Sequence, residues 1–318
     1  MHRSIPLWPS ALMFLALFPA MALAQPVRMF AGHTGAVLKV CFSPDGQQLA
    51  SAGVDQTARV WDFKTGKPLF TLKGHQANVS SIRFSPDEIR LATACQDKTV
   101  RLWDNRTGEQ LHTLARHTDL VNGVCFSPTG DRLAAGSHDH TITVWDARTG
   151  KHLLQIKAHN NAVQSVCFSP DGNRLASGGS DRTAKVWDLA SGKELLTLMH
   201  LSDVLSVAYS PDGKRLASSC GNAPLKIWDA KTGKELLTVG EPQNAWEVCF
   251  SLDGQRLASA SHDGTVKIWN ANTGTLLRTL DHESNPCFGV CFSPDGKHLA
   301  TAAWDTVRVW DVSQVMPK

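Results

Sequence analysis

The chain contains no run of basic residues. Its formal net charge is +3 and the signs alternate along it, so the electrostatic footprint of a nucleic-acid-binding protein is missing. Nor does it contain a Gly-x-Ser-x-Gly elbow, a His-Glu-x-x-His pair or a phosphate-binding glycine loop. That removes familiar signatures of acyl transfer, zinc proteolysis and nucleotide chemistry. Cys-x-x-Cys spacing is absent too. Cys287 and Cys291 are four apart in a β-type run, too far for one metal. No helical period of useful length occurs, and beyond the first two dozen residues no apolar stretch is long enough to span a bilayer.

What is present is ordinary globular composition, with 42% apolar and 19% charged residues, which excludes a disordered chain. The 24 glycines and 15 prolines fall at regular intervals, as many tight turns would require. Residues 1–24 are different. Arg3 is followed by an apolar core centred on "ALMFLALF" and by small residues, Ala22 to Ala24. This is the layout of a cleaved secretory signal peptide. A membrane anchor is the competing reading, but the apolar core is short and Pro6, Pro9 and Pro19 interrupt it. No cysteine follows the cleavage site to carry a lipid. The expected mature chain is residues 25–318, exported to the periplasm or beyond.

An internal repeat governs the rest. Trp61, Trp103, Trp145, Trp187, Trp228, Trp269 and Trp310 are spaced 42, 42, 42, 41, 41 and 41 residues apart. Asp follows six of them and Asn270 the other. His33, His75, His117, His159, His200 and His282 each stand 28 residues before a tryptophan, and Glu241 holds that place in the sixth repeat. Each repeat reads as four short strands, for example "AVQSVCFS", "RLASGG", "TAKVWDL" and "ELLTLM". "SPDG", "SDR" and "SGK" serve as turns.

These residues resemble the WD-repeat family of β-propellers, here an exported, bacterial-type member. Seven copies in register cover about residues 26–312. The resemblance implies an all-β, closed seven-bladed propeller of four-stranded antiparallel blades. After the expected signal, the sequence opens with "VRMFAGH", like a fourth strand, and it stops just after "VRVWDVS", a third strand. The N-terminal strand is therefore expected to complete the last blade, which removes the open edges.

The resemblance also implies a hydrogen-bonded tetrad in each blade. In repeat 1 it would be His33, Ser51, Asp55 and Trp61; in repeat 2, His75, Thr93, Asp97 and Trp103; in repeat 4, His159, Ser177, Asp181 and Trp187. Such sets mimic metal ligands or catalytic dyads, but they recur once per blade, and a catalytic site would be singular. No catalytic residue, metal or cofactor is assigned. His138 and His140 flank the tetrad Asp139 and are expected to face solvent. Four repeats depart from the pattern: Ala135 replaces Ser/Thr in the third, Asn222 replaces Asp in the fifth, Glu241 replaces His in the sixth, and Asp305 is displaced by one residue in the seventh.

Cys41, Cys125, Cys167, Cys249 and Cys291 share one first-strand position, where Ala208 also stands; a small apolar side chain packs well there. Export leaves disulfides conceivable, Cys95 with Cys125 and Cys220 with Cys249. Cys287 lies outside the repeat and is a candidate for exposure.

In the family, partner contacts lie on the rim formed by the loops entering each first strand and the turns between strands two and three. Seven of the ten tryptophans belong to the repeat and Trp8 leaves with the signal. The two that remain, Trp246 and Trp304, map to this rim. So do Phe288, His262 and, across the closure, Leu38. Exposed aromatics mark interaction hot spots; the bland reading is that these rings pack over blades with incomplete tetrads. The reading favoured is a non-catalytic, monomeric ring that binds a protein or peptide partner, with no nucleic acid and no membrane span. The alternatives are a glycan- or small-ligand-binding, or hydrolytic, propeller using the same aromatics, and an assembly piece of an envelope complex. Asp203 is the rim carboxylate that stands out for the former.

Overall fold

The computed structural model describes residues 25–283 and 285–317; the leader read at 1–24 lies outside them. Repeat 4 shows how local chemistry makes a blade. Its strands are β14 (Val163–Phe168), β15 (Arg174–Gly179), β16 (Thr183–Asp188) and β17 (Glu194–Met199). They pair antiparallel in chain order. Gly172 closes the first hairpin at φ 71° and Gly192 the last at φ 69°, a region open to glycine without a Cβ penalty. Between the middle strands, Arg182 takes φ 65°. Asp181 stabilises that turn by accepting Thr183 Oγ1–H at 2.6 Å, which explains the recurring Asp-x-Thr.

Six further blades repeat this plan. Twenty-eight strands form seven four-stranded sheets, and among the described residues there is no helix. The innermost strands are β2 (Val37–Phe42), β6 (Val79–Phe84), β10 (Val121–Phe126), β14, β18 (Val204–Tyr209), β22 (Ala245–Phe250) and β26 (Cys287–Phe292). Each contacts the next, and β26 contacts β2, so the ring is closed around a central channel. Closure falls where the repeat pattern placed it. Strand β1 (Arg28–Ala31) pairs with β28 (Thr306–Asp311), the third strand of blade 7. Outer strands are mostly exposed and anchor through one buried apolar residue, such as Leu72, Leu114 or Leu198. Phe30 does this for blade 7, its ring 5.8 Å from that of Trp61 in blade 1.

The core lies between blades. Each apolar cluster joins two of them; one unites Phe30, Val307 and Ala300 of blade 7 with Val40, Leu49 and Trp61 of blade 1. Inter-blade packing, rather than any single sheet, excludes water here.

Candidate functional site

The three complete tetrads come together as chains of hydrogen bonds. In blade 1, Trp61 Nε1 donates to Ser51 Oγ at 3.0 Å, Ser51 Oγ lies 2.8 Å from His33 Nε2, and His33 Nδ1 is 3.0 Å from Asp55. A carboxylate only accepts, so Nδ1 carries the proton and Nε2 accepts from the serine. Asp55 also accepts Thr57 Oγ1–H and the Thr34 N–H. Blade 2 repeats this with Trp103–Thr93 at 2.9 Å, Thr93–His75 at 2.7 Å and His75–Asp97 at 2.8 Å. Blade 4 has Trp187–Ser177 at 2.9 Å, Ser177–His159 at 2.7 Å and His159–Asp181 at 2.9 Å. Burial lowers the pKa of His33, His75 and His159 below the ordinary value despite the carboxylates, so the rings are neutral at pH 7. His75, Cys95 and Asp97 are close enough to hold a metal. Each is already engaged, Cys95 by the Ala77 carbonyl.

The departures have structural counterparts. His117 reaches Asp139 at 2.9 Å, but opposite Ala135 its Nε2 has no partner. His200 keeps Ser218 at 2.8 Å and turns Nδ1 to the Leu198 carbonyl, while Asn222 adopts φ 54°. In blade 6, Asp263 accepts the N–H and Oγ1–H of Thr265 in its own turn. In blade 7, His282 Nδ1 is buried without a partner among the described residues, and Nε2 lies 4.0 Å from Cys287 Sγ. Cys287 is thus fully buried, against the expected exposure: it packs in the apolar cluster between blades 6 and 7, with Ala260 and Ile268. The conceivable disulfides are not formed; all eight cysteines are free thiols. His138 and His140 are each partly exposed.

Every first strand carries one register shift, and the unpaired residue is Leu38, Ser80, Asn122, Gln164, Leu205, Trp246 or Phe288. A bulge re-aims one side chain out of the ladder. On blades 2 to 4 the bulged side chains are polar and occupied. Ser80 Oγ donates to the Val121 carbonyl, Asn122 Nδ2 to Gln164 Oε1 at 2.9 Å, and Gln164 Nε2 to Ser180 at 2.9 Å. From blade 5 round to blade 1 they are apolar: Leu205, Trp246, Phe288 and Leu38.

Trp246 lies 5.9 Å from Phe288 in an edge-on arrangement and 6.4 Å from His262. It remains 38% exposed and Trp304 58% exposed. No ring stacks on Trp304 among the described residues, but its carbonyl accepts the Val37 N–H at 2.7 Å, fixing it beside Leu38. Trp246, Phe288 and His262 therefore form one cluster, with Trp304 and Leu38 on the same strand ends. Sequence reasoning missed Leu201 on the loop entering β18, 82% exposed. It also undercounted carboxylates: Asp263, Glu283 and Asp305 are exposed on this face, whereas Asp203 is half-buried.

Behind the rim, Glu247 turns into the channel. Its Oε1 lies 2.7 Å from Lys39 Nζ and 3.1 Å from Arg83, and Oε2 accepts the Val290 N–H at 3.0 Å. The repeat alignment held the signal. Glu247 falls in a column with Ser81, Gly123, Ser165 and Gly289, and Arg83 in the cysteine column.

A closed ring of seven four-stranded blades with Trp–Ser/Thr–His–Asp locks defines a WD-type propeller. The family model described as "IFT122 first beta-propeller" matches residues 120–316, more than half of the chain. The model "WD domain, G-beta repeat" matches residues 24–62 and 66–104. The chain belongs to the WD-repeat β-propellers. Among curated proteins it is similar to the Notchless protein homolog of Arabidopsis thaliana, 63% identical over 13% of this chain and 9% of the relative. Protein Notchless of Drosophila melanogaster is 41% identical over 18% of this chain and 12% of the relative. Small ribosomal subunit protein RACK1 of Caenorhabditis elegans is 54% identical over 13% of each chain. The matches thus span 13% or less of these eukaryotic relatives' lengths.

Proposed function

We propose that this propeller is a non-catalytic scaffold that binds a protein or peptide through the rim of blades 6, 7 and 1. The observation that carries it is the apolar arc of bulged residues, Leu205, Trp246, Phe288 and Leu38, set beside exposed Trp304. Elsewhere on the rim the same positions are closed by hydrogen bonds. Aromatic anchors in such a setting supply most of an interface's energy. The exposed Asp263, Glu283 and Asp305 around them favour a partner that inserts a cationic side chain among the rings. Membership of a scaffold-rich repeat family supports the reading. The leader at 1–24 supports export, so the partner is sought in the periplasm or outside the cell. The ring acts as a monomer, without nucleic acid and without a membrane span; no helix among the described residues is long and apolar enough to cross a membrane.

The test is capture of partners from the cell envelope by the wild type and by Trp246→Ala/Trp304→Ala. Loss of a partner at unchanged melting temperature supports the site. Retention of every partner with a lowered melting temperature assigns the tryptophans to packing. Retention on an immobilised neutral oligosaccharide, abolished in the same variant, would favour the glycan-binding alternative.

A further inference from the structure

The opposite end of the channel holds a cavity of about 610 Å³, within the range of about 300–1,000 Å³ usual for small-molecule sites. Its mouth is formed by the Ser-Pro-Asp-Gly turns, with Pro44, Pro294 and Leu252, and its wall by thiols of Cys41, Cys125, Cys167, Cys249 and Cys291. The cysteines thus face a void rather than only filling inter-blade gaps. Burial pushes the Cys41 thiol up to about 12 and raises the other four as well, so the wall is neutral at physiological pH. No three of these sulfurs lie within 4.8 Å of one another, which argues against a ready-made soft-metal site.

The polar end of the cavity is charged. Lys39 and Arg83 share one carboxylate, Glu247, which is the one carboxylate lining the cavity among the described residues. Two cations against one anion leave a net positive charge in a largely apolar enclosure. Arg83 is in the thiol layer with its side chain 31% exposed. One guanidinium nitrogen donates to Glu247 and another to its own neighbour, the Ile82 carbonyl. A guanidinium has five N–H donors, so donors remain for a ligand that enters from the mouth.

We propose that this cavity binds a small organic carboxylate with an apolar body, its carboxylate on Arg83 beside Lys39 and its body among the thiols and the mouth residues. An anion there neutralises the excess charge, and a charge-assisted hydrogen bond is stronger than a neutral one. The site faces away from the Trp246 rim and does not depend on its role.

The protein carries its own reporter. Tyr209 is the single tyrosine of the chain and lines this cavity. With ring-¹³C-labelled tyrosine, titration with 3-phenylpropionate is expected to give a saturable shift of the Tyr209 resonances. 3-Phenylpropionamide, which lacks the charge, is expected to bind about tenfold more weakly, as loss of a charge-assisted hydrogen bond implies. Arg83→Met should weaken the acid by a similar factor, and Ala208→Phe, which fills the wall, should abolish the shift. No saturable shift with the acid overturns the proposal. So does equal binding of acid and amide, a comparison that needs only the wild-type protein.

Discussion

Lys39 Nζ of blade 1 sits 2.7 Å from Glu247 Oε1 of blade 6, two blades away around the ring. With Arg83 at 3.1 Å and the Val290 N–H at 3.0 Å, one buried carboxylate ties blades 1, 2, 6 and 7 across the channel. Glu247→Gln leaves two cations facing each other. Removing one partner of a buried ion pair is costly, and with Arg83 partly solvated the loss is expected to be about 2–3 kcal/mol. Denaturant unfolding measures it; an unchanged midpoint would show that water screens the cluster.

Ala135→Ser should stabilise the protein. The same slot holds Ser51 and Ser177 in blades 1 and 4, and in blade 3 it leaves His117 Nε2 buried without a partner. Supplying a hydroxyl is expected to gain about 1 kcal/mol. A lowered melting temperature would mean that the serine hydroxyl finds no room there.

Glu88 adopts φ 61° at the turn position where other repeats place glycine, such as Gly46 at φ 70° and Gly130 at φ 73°. The left-handed region costs an L-residue about 1–2 kcal/mol, partly offset by glycine's greater entropy loss. Glu88→Gly is therefore expected to raise stability by about 0.5–1 kcal/mol. The difference is readable as a shift in urea midpoint.

Acid should loosen the ring. Burial holds His200 and His282 down to about 4 in the folded chain, against an ordinary 6.5. His33, His75, His117 and His159 are lowered in the same direction, for the same cause. Between those values the unfolded chain binds more protons, so stability falls as pH drops from about 6.5 towards 4. For His200 alone the loss is about 3 kcal/mol by the bottom of that window. Melting temperatures from pH 7 to pH 4.5 test this. His200→Gln should show the shallower decline, and parallel curves would contradict the assignment.

Deleting residues 26–31 removes the strand that pairs with Val307 and Val309 and takes Phe30 off Trp61. Limited proteolysis should then cut within β28, which the intact ring protects. Equal resistance would show that blade 7 holds with three strands.

The repeat made the fold readable from the chain alone. Strand boundaries, turn residues and the closing strand all follow from local rules: alternation, positive φ at glycine, a histidine needing an acceptor. Seven copies turn each weak local signal into a strong one. The rim aromatics were legible for the same reason, since Trp246 departs from a column of known neighbours. Local rules do not report what faces a neighbour several blades away. The cysteine column reads as core filler until the ring closes and turns it towards a void. Glu247 reads as one polar strand residue until closure brings Lys39 and Arg83 to it, from 208 and 164 positions earlier in the chain. The sequence by itself determined the blade, because a blade is built from contacts within some forty residues. Only the tertiary structure decided the channel, its charge and its cavity, because these exist between blades and arise when the ends of the ring meet.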